Sequence, residues 1–263
     1  MDLKLEGKTA LVTGSTAGIG FAIAKALSSE GARTIINGRS EDSVNRAMTE
    51  LASSAKGEVL GFAGDVSLAE IGDKLKKTHP HVDVLVNSLG IFEPVPFEQI
   101  ADDDWRRLFE VNVLCGVRLS RLYLSSMKER NWGRIIFISS ESAIQIPVEM
   151  IHYGMTKAAQ IAVARGLAEH VAGTNITVNS VLPGPTNSRG VGEFVKELAA
   201  KEGKTFAEFE KEFFEKVRPT SLLKRFASPD EVASLVCYLA SPLASATTGA
   251  ALRVDGGVVK SAF

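Results

Sequence analysis

Tyr153 and Lys157 stand four positions apart, and Ser140 stands thirteen upstream of the tyrosine. On a helix over about residues 151–172, positions i and i+4 share one face, so the ammonium of Lys157 bears on the phenol of Tyr153. A neighbouring cation favours the phenolate. The spacing therefore predicts a tyrosine whose pKa is drawn down from about 10 toward neutrality, as a general acid or base requires. Ser140 closes an apolar run over 134–140 that reads as a buried strand and delivers its hydroxyl beside the phenol, where it can polarise a carbonyl. Taken alone, tyrosine and lysine at this spacing also describe an ordinary exposed helix face, so the rest of the chain decides the matter.

The elements that must position these groups are legible as strand-like runs at 9–13, 34–37, 59–63, 84–87, 134–139, 176–182 and 251–254, each followed or preceded by a helix-length segment. Such alternation predicts a parallel sheet covered by helices on both faces. The first run leads into Thr13-Gly14-Ser15-Thr16-Ala17-Gly18-Ile19-Gly20, and an apolar helix pattern follows through Leu27 to Gly31. This reads as a dinucleotide-binding turn. Gly14 and Gly18 let the backbone approach a pyrophosphate, Gly20 lets helix and strand pack closely, and the helix amino end favours the anion.

With both motifs in hand, the chain resembles the short-chain dehydrogenase/reductase family. The family's T-G-x-x-x-G-x-G matches Thr13 to Gly20 and its Y-x-x-x-K matches Tyr153 to Lys157. Further matches are Asp65-Val66, Asn87 to Gly90, Asn112, Ser140, Pro183-Gly184 and Asp255-Gly256-Gly257. The resemblance implies a single α/β domain over 1–263, a Rossmann-type doubly wound seven-stranded parallel sheet with helices on both faces, and commonly a homotetramer. It also implies reversible hydride transfer between a carbonyl and an alcohol, with Asn112, Ser140, Tyr153 and Lys157 as the catalytic set. The cofactor would then be held by Gly14, Ser15, Thr16, Gly18, Ile19 and Gly20, by Arg39, Asp65, Val66, Asn87, Ser88 and Gly90, and by Tyr153, Lys157, Pro183, Gly184 and Thr186. In the family, the asparagine matching Asn112 distorts its helix and supports a water that links the lysine to solvent. A structural hydrogen bond is the alternative for Asn112.

Cofactor choice is expected at the end of the second strand, Asn37-Gly38-Arg39-Ser40. Gly38 stands where NAD-linked relatives carry an acid, and the Arg39 guanidinium suits a 2′-phosphate, so NADP is favoured over NAD. A solvated loop arginine, with Glu41 or Asp42 reaching the ribose, is the alternative. Asp65 is expected to meet the adenine or to cap the next helix. Leu89, where the family usually has alanine, is expected to narrow the space near the cofactor. Asp102-Asp103-Asp104 resembles paired carboxylates for acid–base work but suits the positive amino end of a helix. From about 187 to 220 lies a charged insertion in which Phe206, Phe209, Phe213 and Val217 recur at helical spacing, fitting either plain packing or a lid over a partly apolar substrate.

Composition narrows the partners. A net charge of −1 over 263 residues gives no general basic field for nucleic acid or acidic membranes, and 45% hydrophobic content is enough to bury a full core. Cys115 and Cys237 sit in apolar surroundings without metal-ligand spacing, and no metal is expected; buried reduced thiols fit a cytoplasmic location. The first residues lack the apolar core of a signal peptide, and the uncharged stretch 232–252 is broken by Pro242 and Gly249, so it reads as helix, loop and strand rather than a membrane span. The expected activity is NADP-dependent reduction of a small-molecule carbonyl, 3-oxoacyl compounds included. The rivals are an NAD-linked alcohol or sugar dehydrogenase and a non-catalytic dinucleotide sensor.

Overall fold

Short runs of Val, Ile and Leu that are apolar on both faces can satisfy their backbone only by pairing and their side chains only by being covered twice. In the computed structural model, which describes residues 2–188 and 204–262, these runs form one sheet. The strands are β1 (Thr9–Val12), β2 (Arg33–Gly38), β3 (Val59–Ala63), β4 (Val84–Asn87), β5 (Gly133–Ile138), β6 (Ile176–Pro183) and β7 (Ala251–Val254). All pair in parallel in the order β3-β2-β1-β4-β5-β6-β7. The order reverses at β1 and β4, and ligands of open α/β sheets bind in the crevice beyond the carboxyl ends at such a reversal.

The helices are α1 (Gly18–Ser29), α2 (Glu41–Ala52), α3 (Ala69–Thr78), α4 (Asp102–Phe109), α5 (Cys115–Glu129), α6 (Ile151–His170), α7 (Phe206–Glu212) and α8 (Pro229–Ala240). Strand side chains alternate between the two faces. Val12, Ile36, Val86 and Ile136 join Ile23 and Leu27 of α1, Leu51 of α2 and Val236 of α8. Leu11, Ile35, Leu85 and Ile135 face the other way, onto Leu75 of α3, Leu119 and Tyr123 of α5 and Ala164 of α6. Each such aliphatic side chain contributes about 1.5–3 kcal/mol when fully buried, so the two cores fix the strand ends that carry the site.

Several local expectations resolve here. Asp102, Asp103 and Asp104 occupy the first turn of α4 and pair with Arg106 and Arg107, so they serve the helix amino end. Asp65 does not cap α3, whose first residue is preceded by Leu68; its Oδ1 instead accepts from the Ser67 amide at 3.0 Å and hydroxyl at 2.6 Å, closing a turn. Both cysteines are buried free thiols, pushed up to about 12 by burial. The 232–252 stretch is helix α8, a short 3-10 turn and β7, and no described helix is long and apolar enough to cross a membrane.

Candidate active site

Beyond the carboxyl ends of β1, β4, β5 and β6 lies a cleft of about 600 Å³. One part of its wall is the glycine-rich turn. Gly14 and Gly18 have φ of 59° and 60°, the left-handed region that side chains with a Cβ resist. A Cβ on Gly20 would come within 2.4 Å of the Gly14 carbonyl oxygen, so the close seat of α1 on β1 requires glycine there. Ala17 supplies no side-chain cap to α1 and the first turn holds no acid, which leaves the amino-terminal N–H groups facing the cleft without a side-chain acceptor. That is a cradle for a pyrophosphate, and these residues fit a dinucleotide.

The turn is braced from behind. Ser15 is fully buried; its hydroxyl donates to the Val12 carbonyl at 2.7 Å and accepts from the Asn37 amide at 2.9 Å. Its side chain therefore knits the turn to β2. Thr13 Oγ1 accepts from the amides of Ser88 and Leu89, which ties β4 to the same turn. Asn87 is likewise buried, donating to Ser120 Oγ at 3.3 Å, while its Oδ1 has no partner among the described residues. Leu89 packs, partly buried, on the core cluster that holds Leu11 and Leu85, and lies against Gly14 of the cleft wall.

The opposite wall holds the chemistry. Ser140, at the end of β5, and Tyr153 and Lys157, on α6, all line the cleft, as do Ser88, Gly90, Pro183, Gly184 and Thr186. Ser139 Oγ donates to the Lys157 carbonyl at 2.8 Å and pins α6 to the end of β5, which is what brings the serine, phenol and amine together. The proposed depression of the tyrosine pKa is not what the surroundings give. Tyr153 is pushed up to about 12 by burial, opposed by the Ser140 hydroxyl and reinforced by the nearby charge of Glu141. Lys157 Nζ lies 5.4 Å from the centre of the phenol ring and donates to the Ile138 carbonyl at 2.9 Å, and burial lowers its own pKa to about 8. Desolvation is the largest cause at both groups. Tyr153 is thus held protonated.

A family model described as enoyl-(acyl carrier protein) reductase matches residues 14–259. The uncharacterized oxidoreductase YvaG of Bacillus subtilis is 50% identical over the whole of both chains. The chain belongs to the short-chain dehydrogenase/reductase family. Another relative is the 3-oxoacyl-[acyl-carrier-protein] reductase FabG of Aquifex aeolicus, 34% identical over 98% of this chain and 100% of the relative. Among solved structures, the L-sorbose reductase of Gluconobacter frateurii complexed with NADPH and L-sorbose is 32% identical, with a TM-score of 0.93 over 99% of this chain and 100% of that one.

As a short-chain dehydrogenase/reductase, the chain is an oxidoreductase, and the surroundings of Asn112 acquire a use. Residues Glu110–Leu114 form a π turn between α4 and α5, the distortion expected there. Asn112 Oδ1 accepts from the Ile91 amide at 2.8 Å, and Nδ2 donates to the Ile91 carbonyl at 2.9 Å and Thr156 Oγ1 at 3.0 Å. Its own carbonyl accepts from Gln160 Nε2 at 2.6 Å, one turn along α6 from Thr156, a contact that no motif signals.

Of the remaining cofactor candidates, Arg39, Asp65 and Val66 lie at the ends of β2 and β3, outside the wall of this cleft, and Val66 is a core residue. Arg39 is exposed, without a hydrogen bond or ion pair among the described residues. A Cβ on Gly38 would come within 2.4 Å of Thr16 Cγ2, so an acid in that place requires Thr16 to move. Of the expected lid, 189–203 falls outside the described residues. Beyond it, Thr205 starts α7 with a capping box, and the helix runs into a π turn over Phe213–Val217. Phe206, Phe209 and Phe213 pack on buried Phe214 and Phe226, while Phe209, Phe213 and Val217 also wall the cleft. The stripe therefore serves packing and cleft wall together. Sequence reasoning missed Glu141 and Arg218, which face the same cleft. Glu141 directly follows Ser140 and was open to notice; Arg218, 77 positions further on, gives no local sign of the pairing.

Proposed function

We propose that this oxidoreductase reduces a carbonyl compound to an alcohol with NADPH, the reverse oxidation using the same groups. The observation that carries the proposal is the meeting of Ser140, Tyr153 and Lys157 in a cleft that also includes the open amino end of α1. When bound, the nicotinamide dinucleotide supplies the hydride. Gly14, Thr16, Gly18, Ile19 and Gly20 would hold its pyrophosphate side, Tyr153 and Lys157 the nicotinamide ribose, and Pro183, Gly184 and Thr186 the amide. Tyr153 gives its phenolic proton to the substrate carbonyl oxygen, and Ser140 donates a hydrogen bond to that oxygen. Lys157, as ammonium, stabilises the phenolate left behind. Asn112 anchors the π turn beside Gly90 and Lys157, through which solvent returns the proton.

The preference for the 2′-phosphate is supported by the crowded Gly38, by the unengaged Arg39 and by the NADPH bound in the L-sorbose reductase complex. The apolar wall of Phe92, Met150, Phe209 and Phe213 supports a partly apolar carbonyl substrate, 3-oxoacyl compounds among them. A panel of aldehydes, ketones, 3-oxoacyl compounds and alcohols, assayed by absorbance with both reduced and both oxidised cofactors, tests the reading. NADPH consumption exceeding that of NADH with at least one carbonyl is expected; absence of turnover throughout favours the sensor reading.

A further inference from the structure

The catalytic set leaves unused a charged network at the border of the cleft, made by Glu141, Glu149 and Arg218. Glu141, only 3% exposed, lies in the short 3-10 turn that follows Ser140, and its Oε1 accepts from Arg218 Nε at 3.1 Å. Arg218, whose side chain is 11% exposed, closes the π turn after α7: its amide donates to the Phe213 carbonyl at 2.9 Å. Its Nη1 lies 3.7 Å from Glu149 Oε1, and two residues further on Thr220 Oγ1 accepts from Gln145 Nε2 at 3.3 Å. Residues 218–220 are thus tied repeatedly to residues 141–149, the segment between Ser140 and Tyr153.

Stability does not account for the pair. Burial, the largest cause, raises the Glu141 pKa above the usual carboxylate range, against the opposing charge and hydrogen bond of Arg218. The other carboxylate oxygen, Oε2, is buried without a hydrogen-bond partner among the described residues. The attraction does not offset the loss of water, and apolar side chains of similar volume often equal such a pair in stability. What the pair supplies is placement. Phe206, Phe209, Phe213, Phe214 and Phe226 already hold α7 and the start of the π turn. Val217, 46% exposed in the cleft wall, lies outside that aromatic cluster, between it and Arg218.

Resting on the proposed carbonyl reduction, we infer that Arg218, together with Glu141, is a positioning residue of that reaction. The pair ties the end of the π turn to the segment that leads from Ser140 to Tyr153, and so fixes the apolar wall of Phe213 and Val217 against the groups that receive the carbonyl. Both side chains act through that wall and make no contact with the reacting atoms.

The test replaces both charges at once, Glu141→Leu with Arg218→Met, because removing one leaves the other buried and unpaired. The double variant is expected to keep its melting midpoint, to bind NADPH as the wild-type protein does, and to exchange backbone hydrogens faster over residues 215–221 but not over α7. Its kcat/KM for the best carbonyl of the panel, with NADPH saturating, is expected to fall about 10- to 100-fold, chiefly through KM. Wild-type exchange over 215–221, or wild-type kcat/KM, overturns the inference. So does a lowered midpoint with exchange raised throughout the chain, the mark of a purely structural pair. NADPH left unconsumed with every carbonyl overturns carbonyl reduction, while the exchange comparison still decides whether the pair ties the turn. If the double variant does not fold, Arg218→Lys decides: its point charge cannot meet Glu141 and Glu149 together, so the same gain in exchange is expected, and wild-type exchange overturns the inference.

Discussion

Among individual residues, the tension lies between a phenol held protonated and an amine that sheds its proton early. Lys157, lowered to about 8, is ammonium below that pH and loses its charge as pH rises through it, whereas Tyr153 keeps its proton to about 12. Carbonyl reduction needs both protons. Its kcat/KM is therefore expected to be level below pH about 8 and to fall above it, and Lys157→Met to be slow without that break. A rate that climbs between about pH 7 and about pH 10 would contradict this. Arg39 acts at a separate point. If it grips a 2′-phosphate with charge-assisted hydrogen bonds of about 1.5–3 kcal/mol, Arg39→Ala weakens NADPH about 10- to 100-fold and NADH little, measured as KM for each cofactor. Equal effects on both would return Arg39 to the status of a solvated loop arginine.

Among elements, the site depends on three junctions: the glycine-rich turn between β1 and α1, the seam of β5 with α6, and the π turn between α4 and α5. Each is closed by side-chain bonds: Asn37 Oδ1 accepts from the Gly14 amide at 3.4 Å and Thr13 Oγ1 from the Leu89 amide at the first, Ser139 acts at the second, and Thr156 and Gln160 at the third. Asn112 makes three side-chain bonds within the last of these. Asn112→Ala is expected to cost about 2–4 kcal/mol in denaturant unfolding, because the Ile91 backbone loses its partners, and to lower kcat as well. Unchanged stability with lost turnover would mean that the asparagine acts in the proton path alone.

Over the whole molecule, the sheet was legible because a parallel strand buried on both faces must read as an uninterrupted apolar run. All seven runs pair within a residue or two of their expected limits. The meeting of the proposed catalytic groups in one cleft was legible because Tyr153 and Lys157 are local to one helix and Ser140 ends a strand. What the sequence did not disclose depends on environment or on distant partners. A phenol's pKa follows its desolvation, Ser15 and Leu89 turn inward because of strands that pack behind them, and Glu141 meets Arg218 only once the segment after α7 folds over the cleft. The central claim is that Tyr153 is the proton donor of an NADPH-linked carbonyl reduction. Steady-state turnover of Tyr153→Phe on the best carbonyl of the panel, with NADPH binding followed by fluorescence, tests it most directly. The account predicts binding that persists and a kcat lowered about 10²- to 10⁴-fold. Wild-type turnover in that variant would contradict it.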